Sequence, residues 1–121
     1  MAKTLGEFEQ SVLFALLELE KEEAYGVSIR KAIEARTGRT ISSGAVYTTL
    51  DRLRDQGLVT SWVGEPTGER GGRRKRLYAL QPGGVQALGE AVRIFRSISN
   101  GLLERLDRRM NEASGHKGLG T

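Results

Sequence analysis

Apolar residues fall on helical steps at the start of the chain. Phe8, Val12, Ala15, Leu16 and Leu19 recur every three or four positions between residues 5 and 20, and Leu13 and Leu17 widen the stripe. A stripe this broad predicts a well-buried helix. Val27, Ile29, Ala32 and Ile33 give a second helix from about 25 to 37, with Arg30, Lys31, Glu34 and Arg36 on its solvated side. Gly38 follows as a left-handed C-cap. After the short extended pair Thr40 and Ile41, the N-cap residues Ser42 and Ser43 open a third helix that runs to Gln56. Val46, Leu50 and Leu53 are its buried positions, and Gly57 is its C-cap. Two such helices across a short glycine-containing connection read as a helix-turn-helix.

Beyond Leu58 the period drops to two. Residues 59–63 and 77–80 predict two strands, joined by a long turn-rich tip over 64–76. Pro82 sits where helices begin. Val85, Leu88, Val92, Phe95, Ser99, Leu102 and Leu106 then follow steps of three and four, predicting one helix to about residue 110. They form a heptad seam with one polar member, and Ile94, Ile98 and Leu103 lie beside it. The polar, glycine-rich residues 111–121 are expected to be disordered. The fold class is therefore mainly α with a small β-hairpin. It comprises a winged helix-turn-helix over 1–80, a C-terminal dimerisation helix over 81–110 and a tail over 111–121.

Composition removes several kinds of chemistry. At 121 residues the chain is one domain, or one domain with an appended helix. The absence of cysteine excludes disulfides, thiolate nucleophiles and cysteine-ligated zinc. The one histidine, His116, lies in the tail, so neither a metal site nor a cofactor is expected. No stretch reaches ~18 apolar residues, so no membrane span is expected. The N-terminus lacks a signal-peptide layout, and a cytoplasmic location is expected. Glycine is about twice as common as usual, at 16 residues, and is spread along the chain.

Charge changes the picture more. The formal net charge is +4, with 14 arginines to five lysines. It is unevenly placed: residues 5–23 carry −5 and residues 69–76 carry +4. Arg70, Arg73, Arg74, Lys75 and Arg76 put five cations into seven residues of the hairpin tip. Folding needs no such density; anionic phosphates would balance it. The first turn of the third helix offers a second candidate surface. Val46 and Leu50 face inward, leaving Ser42, Ser43, Tyr47, Thr48 and Thr49 outside, near the positive end of the helix dipole. Arg52, one turn beyond Thr48, could reach a phosphate or a base edge. Tyr25 and Tyr47 either contact phosphate or pack where the second and third helices meet. Trp62, the only tryptophan, reads as strand packing.

These segments resemble a known family. Tyr25-Gly26-x-x-Ile29 is similar to the opening of the second helix in PadR-family transcriptional regulators. The run from Ile41-Ser42-Ser43-Gly44-Ala45-Val46-Tyr47 through Leu50 and Leu53 to Gly57-Leu58-Val59 resembles their recognition helix. Gly72-Arg73-Arg74-Lys75-Arg76-Leu77-Tyr78-x-Leu80 resembles the second half of their wing. The likeness covers roughly residues 5 to 106 and fits the shorter members, which have a single helix after the wing. It implies a homodimeric repressor on a palindromic operator in double-stranded DNA. Some members release DNA when a small aromatic or cationic effector binds at the dimer interface; no matching ligand site is visible in this sequence. Thr48 stands where the family usually has proline, so base preference is not carried over. Gln81 stands where it usually has a threonine cap for the last helix. Two rival readings are a winged helix that binds protein rather than DNA, which the basic wing opposes, and a small enzyme acting through Ser and Lys or Asp alone, for which no constellation is visible.

Overall fold

The first three helices each bury one stripe, and the three stripes meet. The computed structural model describes residues 4–66 and 74–114. It contains α1 (Glu7–Glu18), a 3₁₀ turn (Lys21–Glu23), α2 (Gly26–Thr37), α3 (Ser43–Asp55), β1 (Val59–Val63), β2 (Arg76–Leu80), α4 (Pro82–Ser99) and α5 (Leu103–Ala113). They divide into two units, the first ending at Ala91 and the second beginning at Val92.

In the first unit, Val12, Leu13 and Leu16 of α1, Ile29 and Ile33 of α2, and Val46, Leu50 and Leu53 of α3 form a common core. Val59 and Tyr78 join it from the strands, and Leu88 joins it from the first half of α4. Burial of each large side chain contributes about 1.5–3 kcal/mol. The buried arc is narrower than the sequence pattern implied. Leu17 and Val27 are exposed, Leu17 because it lies roughly a quarter-turn from the centre of the buried face.

The strands pair antiparallel, with Val59 opposite Leu80 and Ser61 opposite Tyr78. This hairpin is stitched to the start of α2. The Tyr78 N–H donates to the Ala24 carbonyl at 2.9 Å, and Tyr25 bridges Leu77. Burial, with a smaller contribution from Asp51, pushes the Tyr78 phenol above its ordinary pKa. Trp62 is half-buried, and the Lys21 ammonium sits 5.3 Å from its ring centroid. Gln81 starts α4 through its backbone: its carbonyl accepts from the N–H groups of Gly84 (2.8 Å) and Val85 (3.0 Å). Gly84 lies so close to the Leu58 carbonyl group that a Cβ there would collide with it.

The single helix expected to run to residue 110 is interrupted. α4 ends at Ser99, Gly101 adopts a left-handed conformation at φ 76°, and α5 starts at Leu103. Asn100 and Gly101 are poor helix formers, and only glycine enters that conformation freely. The apolar steps continued across the break and so concealed it. α5 also extends to Ala113, so residues 111–113 are helical rather than part of a disordered tail. The later tail, with His116, lies outside the described residues. Ile94, Phe95, Ile98, Leu102, Leu103, Leu106 and Met110 are all at least 40% exposed.

Candidate nucleic-acid interface

The N-terminal half of α3 is an uncharged, accessible surface. The Ser42 Oγ accepts from the Ala45 N–H at 3.1 Å, which caps the helix and fixes where it begins. Ser43, Gly44, Tyr47 and Thr48 are exposed, and nothing lies within 4 Å of a Cβ placed on Gly44. Both tyrosines make contacts within the chain. The hydroxyl end of Tyr47 lies over Gly26, where a Cβ would run into the ring, so it packs at the junction of α2 and α3. Tyr25 is half-buried and holds the Lys75 ammonium 4.0 Å from its ring centroid.

Two expected contact residues are placed differently. Thr49 is buried rather than outward-facing, because it follows Val46 by three positions and lies on the core side of the helix. Arg52 is turned toward α1. Its Nε donates to the Glu9 Oε2 at 3.2 Å, and a terminal nitrogen donates to the Thr49 Oγ1 at 3.4 Å. The other Glu9 oxygen accepts from the Gly6 N–H at 2.8 Å.

The pairing extends to every arginine from α2 to the end of α3. Arg30 pairs with Glu34 at 3.1 Å, Arg36 with Glu18 at 2.9 Å and Arg39 with Glu7 at 2.9 Å. Arg54 lies between Asp51 at 3.6 Å and Asp55 at 3.8 Å. The hydrogen bond and charge of Arg39 hold the Glu7 carboxyl below its ordinary pKa.

The wing base differs. Arg74, Lys75 and Arg76 are exposed, and among the described residues no carboxylate pairs with any of them. Arg76 donates to the Ser61 Oγ at 3.3 Å across the strand pair. Arg70 and Arg73 lie outside the described residues.

Of the expected seam, Leu88 is buried in the core of the first unit and is not available to a partner. Val85, Phe95, Leu102 and Leu106 are exposed, while Val92 and Ser99 are half-buried. The Ser99 Oγ donates to the Phe95 carbonyl at 2.7 Å within its own helix. Sequence reading missed Glu9. The available signal was its position, three before Val12 and four before Leu13, which puts a carboxylate on the apolar stripe. Among the described residues no cluster of three or more His, Asp or Glu side chains could hold a metal, and no helix is long and apolar enough to cross a membrane.

No curated protein matches this sequence with significance. Several solved structures share the fold. H. salinarum RosR has 24% identity and a TM-score of 0.64, with 94% of each chain covered. A PadR family transcription regulator from Clostridium difficile has 23% identity and a TM-score of 0.68, covering 84% of this chain and 99% of that one. Bacillus subtilis PadR, solved in complex with operator DNA, has 21% identity and a TM-score of 0.58, covering 70% of this chain and 46% of that one. The family model described as "Transcriptional regulator PadR-like family" matches residues 14–90, which take in the end of α1, all of α2 and α3, the hairpin and the first half of α4. The chain belongs to the transcriptional regulator PadR-like family.

Proposed function

We propose that this regulator is a cytoplasmic, homodimeric repressor that binds a palindromic DNA operator and performs no catalysis. The observation that carries this reading is the division of charge in the first unit. α3 offers Ser43, Tyr47 and Thr48 on an uncharged first half, while the neighbouring wing base offers Arg74, Lys75 and Arg76 without carboxylate partners among the described residues. Small hydroxylated side chains let a helix enter a major groove, and unpaired cations suit the flanking phosphates. The operator complex of B. subtilis PadR supports the same reading.

The homodimer rests on the second unit. Phe95, Ile98, Leu102 and Leu106 are each about half exposed or more, which a chain acting alone would leave in water. A two-fold dimer would present its recognition helices about 34 Å apart. Selection of bound fragments from genomic DNA tests both statements. Enriched fragments should share a two-fold motif with half-sites one helical turn or a multiple of it apart. Enrichment without symmetry would remove the dimer, and no enrichment would remove DNA recognition. Phe95→Asp should yield monomers in sedimentation with weakened operator binding.

A further inference from the structure

We propose that Glu9 is a positioning residue for DNA recognition: it withholds Arg52 from DNA phosphates and so keeps affinity for non-operator DNA low. The inference rests on the DNA-binding reading above.

Arg52 lies on α3 four residues after the exposed Thr48, one turn along the same helix. Its side chain is still 42% exposed, so it is accessible to an approaching duplex. Its partner is in a different state: the Glu9 side chain is only 8% exposed. Both Glu9 oxygens are engaged, Oε1 by the Gly6 N–H and Oε2 by the Arg52 Nε. A carboxylate largely removed from water gains from each cation beside it, because burial makes the charged form costly. If Arg52 moved to a phosphate, Glu9 would lose the hydrogen bond and charge that Arg52 gives it. The buried partner therefore opposes the move.

Arg54 provides the internal contrast. Asp51 and Asp55 are 57% and 76% exposed, so water solvates them when Arg54 leaves. Exposed pairs of this kind hold their members weakly. Of the two arginines on α3, Arg54 can be released to a phosphate at little cost and Arg52 cannot. A cation that meets any phosphate raises binding to every sequence, so holding one back favours readout by Ser43, Tyr47 and Thr48.

The test is binding of a duplex without the operator, followed by fluorescence anisotropy between about 50 and 200 mM salt. Glu9→Gln keeps the size of the side chain and an oxygen for the Gly6 N–H but removes the charge that holds Arg52. It should tighten binding to this duplex several-fold and steepen the salt slope by about 0.9, one added phosphate contact. The double variant Glu9→Gln with Arg52→Gln should return the slope to the wild-type value. A Glu9→Gln slope equal to wild type overturns the proposal, whatever happens to thermal stability. If Glu9→Gln does not fold, Arg52→Gln alone decides: the slope should hold, and a fall of about one unit would show that Arg52 already contacts phosphate. A wild-type chain that binds neither operator nor arbitrary duplex removes the DNA-binding reading itself. Wild-type binding without the steepening removes this inference alone.

Discussion

The helix-turn-helix and the wing base both carry basic residues, but they hold them differently. Arg30, Arg36, Arg39, Arg52 and Arg54 each sit beside a carboxylate of the same chain. Arg74, Lys75 and Arg76 have no such partner among the described residues. The difference shows that a count of cations does not locate a polyanion surface; what matters is which cations are already neutralised. On the proposed reading, charge-driven affinity would belong mainly to the wing, and shape and hydrogen bonding to the first half of α3.

Four variants test this division. The largest effect is expected at the wing. Arg74→Ala with Lys75→Ala should weaken binding about fivefold per lost phosphate contact near ~0.15 M salt, with a flatter salt slope for all sequences. Their effect on unfolding should stay within about 0.5 kcal/mol. A change in stability with no change in slope would reverse the assignment. Arg52→Ala should do the opposite. It takes one cation from the largely buried Glu9 carboxylate and should lower stability by about 1.5 kcal/mol in urea unfolding. This is less than the ~3–5 kcal/mol of a fully buried pair, because water reaches the guanidinium. Ser42→Ala removes the cap of α3 and should cost about 1 kcal/mol, with operator binding reduced through fraying of the first turn. The smallest effect is expected for Arg54→Ala, within about 0.5 kcal/mol of wild type. A cost there equal to that of Arg52→Ala would erase the distinction between the two arginines.

Where one periodic signal dominated, the chain could be read directly. Val46, Leu50 and Leu53 are buried in α3 as their spacing required, and β1 runs over Val59–Val63 as the change of period indicated. The site was harder, because a side chain at the edge of a helix face can turn either way. Thr49 falls on the core side three positions after Val46, while the direction of Arg52 was decided by Glu9, 43 residues before it in the chain. Tyr47 was ambiguous for a similar reason, since its position depends on the missing side chain at Gly26. The break at Gly101 was hidden by apolar residues that kept their spacing across it. Local pattern reports which residues are apolar, whereas the partner of an edge residue is set by tertiary packing.

The stitching of the hairpin to α2 bears on covalent continuity. β2 is held by its register with β1, by the Tyr78 hydrogen bond to Ala24, and by the burial of Leu77 and Tyr78. All of these contacts are made by residues outside the stretch from Pro66 to Arg74. Two fragments, one ending at Pro66 and the other starting at Arg74, should therefore reassociate into a regulator assembled by complementation. Its assembly would then be controlled by the supply of the second piece.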